Sequence, residues 1–281
     1  NLFKYSSKLT LQIFFVIIFF STLEAKNLNK FSDGDDISDY FSGILLLNDN
    51  QYSESYRFLK KLKGLEESHL NYSSRFLYSL VNLGKFNEAF NYSKKLELRK
   101  IDNFESNLII GVYYLKNENY KLAKKYFLKL KKRDSKFILN NFISNALYNW
   151  SNFNTVDFND AQNQVNLTDG RFENLKNIQN VFVHCFYQSH KSEFFFKKLV
   201  SNNQIDFSRY NYFYAKYLAN SGKIQEAKKV INTSLKKYPR NLLLNQYKLD
   251  LQLNNNKNNF NCQNQSHVVA EILYITANAL S

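Results

Sequence analysis

The side chains best suited to covalent or acid–base chemistry are few: four histidines, His69, His184, His190 and His267, and two cysteines, Cys185 and Cys262. A nucleophile needs a base within hydrogen-bond reach, and His184 beside Cys185 is the one adjacent couple. Neighbours in sequence do not face each other on a helix, so this couple reads as part of a helix interior rather than as a catalytic dyad. A zinc site needs three or four converging ligands, and Cys262 with His267 supplies two. No phosphate-binding glycine loop, Gly-x-Ser-x-Gly, His-Glu-x-x-His or dinucleotide-binding glycine pattern occurs. The chain therefore reads as non-enzymatic, with no catalytic residue, no metal and no cofactor expected.

Charge offers a second kind of chemistry. The formal net charge is +14, from 38 Lys and Arg against 24 Asp and Glu, a balance that can serve nucleic acid or an anionic membrane surface. Lys far outnumbers Arg, however, and Arg is the residue of choice for bidentate phosphate and base contacts, so nucleic acid is the disfavoured partner. The Asn-, Lys-, Phe- and Tyr-rich composition is what A/T-rich codons write in any fold. Paired lysines recur at Lys60-Lys61, Lys94-Lys95, Lys124-Lys125 and Lys228-Lys229. Cations late in a helix favour its dipole and stay solvated at little cost, so these pairs read as an outer face before they read as a site.

The elements that must carry these groups are helices. One Pro and seven Gly against 44% hydrophobic residues leave little of the turn chemistry that a β-rich fold requires. A short motif recurs as Asn50-Gln51-Tyr52-Ser53-Glu54-Ser55, Gly84-Lys85-Phe86-Asn87-Glu88-Ala89 and Glu118-Asn119-Tyr120-Lys121-Leu122-Ala123, with the small residues 55, 89 and 123 spaced by 34. A fourth copy, Gly222-Lys223-Ile224-Gln225-Glu226-Ala227, lies close to three periods further on. Around each copy the pattern reads helix, short turn, helix, with the small residue letting two antiparallel helices approach.

This pattern resembles the tetratricopeptide repeat, with its Leu-Gly-x2-Tyr in the first helix and Ala-x3-Phe in the second. The third copy matches best, through Ile110-Gly111, Tyr114, Ala123 and Phe127. Gly43, Leu46, Ser55 and Leu59 fill those slots in the first copy, and Tyr214-Ala215, Leu218, Ala227 and Ile231 in the fourth, with Pro239 twelve residues beyond Ala227. Departures include Asn107 in the Trp slot, and Leu77 and Ser93 in place of Gly and Phe. The resemblance implies an all-α fold of helical hairpins stacked into a right-handed superhelix, an α-solenoid. It also implies an extended concave surface, lined by the first helices, that holds a protein or peptide. That lining would include Tyr40, Asn48, Asn71, Tyr78, Asn82, Arg209, Tyr212, Lys216 and Asn220, where Asn, Arg and Lys could bond a peptide backbone or carboxylate and Tyr adds contact area. Tyr at helical spacing also serves as core between repeats.

Clear repeats are expected at about 37–66, 70–100, 104–133 and 208–240, with eroded ones over 134–203 and an incomplete last helix over 266–281. Within the eroded part, 137–150, 170–188 and 192–200 read as helices and 152–168 as a loop or weak helix. Cys185 and Cys262 would bridge non-neighbouring repeats in such an array, so two free or buried thiols are expected rather than a disulfide. Lys4 and Lys8 precede an apolar stretch from Leu9 to Phe20, shorter than a membrane-spanning helix and laid out as an export signal. The expectation is a signal peptide over 1–25, cleaved after Ala25, then a linker over 26–36, with a retained membrane tether through residues 9–20 as the alternative. A periplasmic or secreted location and a bacterial source are the corresponding expectations. With Asn at position 1 and no Met, the sequence reads as a fragment. The functional reading is a protein- or peptide-binding scaffold outside the cytoplasm. Its alternatives are a membrane-tethered envelope assembly or maintenance factor, and the repeat region of a larger enzyme.

Overall fold

A computed structural model of the protein describes residues 34–133, 137–202, 207–253 and 260–278. The apolar stretch 9–20 and the expected cleavage site after Ala25 lie outside the described residues. The described residues contain fourteen α-helices and no strand. In chain order they are α1 (Gly34–Asn48), α2 (Tyr52–Lys61), α3 (Leu70–Asn82), α4 (Phe86–Leu98), α5 (Phe104–Lys116), α6 (Tyr120–Lys132) and α7 (Ile138–Asn152). There follow α8 (Phe158–Asn166), α9 (Glu173–Phe186), α10 (Ser192–Val200), α11 (Ser208–Asn220), α12 (Ile224–Lys237), α13 (Leu242–Gln252) and α14 (Gln265–Asn278). The first helix already takes in residues 34–36, the end of the expected linker. The described residues divide into two compact units, one up to residue 106 and one from residue 107, and the boundary falls inside α5.

Local sequence explains the helices. In α6, Ala123, Tyr126, Phe127 and Leu130 form one buried stripe, while Lys129, Lys131 and Lys132 occupy the last turn, where cations meet the negative end of the helix. The Asn119 side chain opens it by accepting a 3.2 Å hydrogen bond from the Leu122 amide. Most turns between paired helices pass through one left-handed residue. Asn50, Gly84, Glu118 and Gly222 have φ of 60°, 69°, 57° and 80°. These are the first residues of the four motif copies, so the recurring hexapeptide is a backbone reversal followed by a helix start. Gln188, with φ 52° and 34 residues before Gly222, turns the chain between α9 and α10 in the same way.

The small residues do what their size suggests. Ser55 donates from Oγ to the Gly43 carbonyl at 2.8 Å, and a Cβ on Gly43 would stand 2.7 Å from Leu59 Cδ2. A Cβ on Gly111 would overlap the Phe127 ring. Ala89, Ala123, Ala215 and Ala227 are fully buried, so helix axes approach where a larger side chain would force them apart.

Three features depart from the sequence reading. Residues 152–168 contain a well-formed helix, α8. Asp157 caps it by accepting from the Asp160 amide at 2.9 Å, and Ala161 and Val165 are fully buried one turn apart. Cys185 and Cys262 form a disulfide, with Cα atoms 5.9 Å apart, rather than two thiols. The separation of 77 residues misled because it presumed a chain that keeps stacking outward. The last helix does not: α14 returns to α7 and α9, and Gln265 Nε2 donates to the Trp150 carbonyl at 2.7 Å across 115 residues.

Candidate functional site

In the unit of residues 1–106, the start of α3 is fixed by His69, whose Nδ1 accepts from the Asn71 amide at 3.3 Å. Tyr40 of α1 lays its ring 4.7 Å from the His69 ring. From this anchored end, Asn71, Ser74, Arg75 and Tyr78 project from α3 at helical spacing, and Glu105 faces them from the start of α5. Together they line a cleft of about 390 Å³. Ser74 Oγ donates to Glu105 Oε2 at 3.0 Å, and Asn103 Nδ2 donates to Ser73 and Ser74 Oγ at 2.8 and 3.1 Å. These bonds fix the two walls. Tyr78 is 49% exposed, with the Tyr52 ring edge-on at 6.1 Å. The cleft thus presents a guanidinium, a carboxylate, a carboxamide and a phenol side by side, donors and acceptors both, as an extended peptide backbone with mixed side chains requires.

Of the sequence-predicted lining, Asn71 and Tyr78 are brought together here. Asn48 and Asn82 are exposed at the ends of α1 and α3, and Asn82 Nδ2 donates to the Tyr78 carbonyl at 2.9 Å. Arg75 and Glu105 were not singled out, although their opposite charges at this wall are the strongest electrostatic feature of the cleft.

In the other unit Asn220 is exposed, but three expected lining residues are not open surface. Tyr212 and Lys216 are only 7% and 3% exposed. The Tyr247 ring of α13 stands edge-on to Tyr212 at 5.0 Å and beneath the Lys216 ammonium at 5.1 Å. Burial pushes the Lys216 pKa down, against Asp250, which raises it. Arg209 is held by Glu271 of α14 through two 2.7 Å hydrogen bonds. All three stand on α11, the first helix of its hairpin, and other helices of the same chain cover them.

A second cavity, of about 290 Å³, lies among α7, α8, the turn at 167–172 and the face of α9. Asn141, Asn145 and Asn149 line it at four-residue spacing, a stripe that the abundance of Asn throughout the sequence hides. Gln179 accepts from Trp150 Nε1 at 3.1 Å while its Nε2 has no partner. His184 is buried against the Phe195 ring, with centroids 3.9 Å apart, and Cys185 is disulfide-bonded, so no nucleophile and base meet there. Among the described residues no cluster of three or more metal-ligating side chains occurs.

Helices paired in sequence, most of them through a turn with one left-handed residue, with small residues at the crossings and a 34-residue period over the first three motif copies, decide the architecture. The fold is tetratricopeptide-like. No family model matches the sequence, and no curated protein matches it. Solved structures similar at low level include two tetratricopeptide or related proteins. A thermophilic TPR protein of Thermus thermophilus is 13% identical, with TM-score 0.31, over 78% of this chain and 99% of that one. A monomeric mutant of IFIT1 with Gppp-AAAA is 14% identical, with TM-score 0.32, over 87% of this chain and 61% of that one. Likeness at this distance carries no functional argument, and the tetratricopeptide-like assignment rests on the hairpins themselves.

Proposed function

We propose that the protein is a non-enzymatic scaffold that works outside the cytoplasm and holds an extended segment of a partner protein in the α3–α5 cleft. The observation that carries this reading is the side-by-side placement of Asn71, Arg75, Tyr78 and Glu105 on a wall of first-helix surface. A peptide backbone crossing that wall meets an amide donor and acceptor at Asn71. Its acidic and basic side chains meet Arg75 and Glu105, and Tyr78 supplies amphipathic area at low entropic cost. Export is supported by Lys4 and Lys8 ahead of the apolar stretch 9–20, and by a disulfide, which persists in oxidising surroundings. The same stretch, if retained, would serve as a membrane tether.

The test is a random-peptide array probed with the full-length oxidised protein and with an Arg75→Glu/Tyr78→Ala variant. Peptides selected by the native protein should lose at least roughly tenfold in affinity to the variant, equivalent to ~1.4 kcal/mol. Undiminished binding by a variant of equal helicity would remove the cleft from the proposal.

A further inference from the structure

In the unit of residues 107–281, the helix α14 behaves as a bound ligand rather than as the next member of the stack. Its main contacts are with α7 and α9. Through Glu271 it also reaches α11, so it spans the first-helix positions of successive hairpins, the surface where a partner would lie. Val268, Val269, Ile272 and Thr276 are buried, while Ala270, Tyr274 and Ala277 face outward, as in an amphipathic helix seated in a groove. Its polar anchors are interface-like. Gln265 bonds the Trp150 carbonyl, and the Glu271 carboxylate, 5% exposed, sits in the fork of Arg209 with Tyr210 OH at 3.4 Å. Arg209 is sandwiched further by the Tyr274 ring at 4.2 Å. A buried ion pair adds little net stability over a hydrophobic one, but it fixes register and rejects helices that lack the carboxylate. The approach to the helix is pinned by Phe260, set among Phe182 and Phe213 at 5.5 and 4.5 Å, and by the Cys185–Cys262 disulfide.

We propose that α7, α9 and α11 form a helix-binding groove whose resident occupant is α14, latched by the Cys185–Cys262 bond, and that an exchanging partner is an amphipathic helix with a carboxylate at the Glu271 position. This site is separate from the α3–α5 cleft, and its failure would leave that cleft untouched. With the latch closed, α14 has a high effective concentration over the groove and outcompetes an external helix. When an external dithiol reduces the latch, becoming a disulfide as it passes two electrons and two protons to Cys185 and Cys262, which are left as thiols, that advantage falls and the groove accepts a helix in trans.

The probe is a fluorescein-labelled synthetic peptide of residues 264–278, offered to the full-length protein. The Cys185→Ser/Cys262→Ser variant should bind it at least roughly tenfold more tightly than the oxidised native chain, and amide exchange in 265–278 should rise in that variant. Adding Arg209→Glu should abolish binding, and a peptide carrying Glu271→Arg should restore it. If the double-serine variant loses helicity, a Glu271→Arg chain with its disulfide intact takes its place, because two cations facing each other release α14 and the native peptide should then bind. Failure of the peptide to bind a helical, latch-free chain would overturn the proposal, as would unchanged exchange protection of 265–278.

Discussion

At the scale of single residues, burial decides what each side chain can do. His184 is nearly fully buried, its ring on Phe195 and its Nε2 3.3 Å from Gln162 Nε2. Burial, then the charges of Lys191 and His190, lower its pKa from the ordinary 6.5 to about 4. The folded state therefore keeps the imidazole neutral at pH values where the unfolded chain protonates it. The resulting stability is present in full above pH 6.5 and is lost as pH falls through about 4. The shift corresponds to about 3 kcal/mol across that window. His184→Phe, which preserves the ring contacts, should flatten the slope of stability between pH 6.5 and 4 and change stability at about pH 7.5 by only about 1 kcal/mol. Urea titrations across this pH range check this, and identical slopes in both proteins would exclude His184 as the source. That His184 is interior was legible from its place beside Cys185 in an apolar run. The burial of Lys216 was not, because the Tyr247 ring that covers it belongs to a distant helix whose position no local pattern encodes.

At the scale of elements, the turn chemistry is the most legible feature and also the place where the repeats eroded. Gly84 and Gly222 adopt the left-handed turn at no steric cost, whereas Glu118 and Gln188 adopt it with a Cβ. A left-handed non-glycine residue costs roughly 1–2 kcal/mol, part of which a glycine gives back through its greater freedom in the unfolded chain. Glu118→Gly and Gln188→Gly should each raise stability by roughly 0.5–1 kcal/mol, while Gly84→Ala should lower it by a similar amount or more. Thermal denaturation of the three variants decides the matter; a destabilising Gln188→Gly would mean that the turn is held by its side chain instead. Sequence spacing revealed the hairpins at Asn50, Gly84, Glu118 and Gly222 because an aromatic or branched residue and then a small residue follow at fixed offsets. At Gln188 the motif is absent, since His190-Lys191-Ser192 follows without that large apolar residue, and there the hairpin is legible only as the break between the helices read over 170–188 and 192–200. The helix α8 is legible only as a loop or a weak helix for a related reason. Its short apolar face, Phe158, Ala161 and Val165, is diluted by Asn and Gln, and only the Asp157 cap marks its start.

At the scale of the whole molecule, the repeat period makes the all-α hairpin architecture legible from one sequence, while the return of α14 breaks that period and is invisible to it. The cysteine pair was the available signal. Two cysteines 77 residues apart imply outward stacking with free thiols, or a chain that comes back, and the structure takes the second course. Closing a loop of this length removes conformations from the unfolded chain worth about 4 kcal/mol in the chain-entropy model. Reduction should therefore lower the melting temperature of the unit of residues 107–281 by on the order of 10 °C. Hydrogen exchange locates the effect: protection should fall in α7, α9 and α14, which the bond and the Gln265 and Glu271 contacts tie together, and stay unchanged in α1 to α4, which it does not constrain. Equal loss of protection in α1 to α4 would mean that the bond stabilises the chain as a single cooperative body, and an unchanged melting temperature would mean that α14 is held by its side-chain contacts alone. In the expected case, the oxidising surroundings proposed for this protein supply both the stability of the second unit and the closed state of its groove, leaving the α3–α5 cleft as the surface that is open under those conditions.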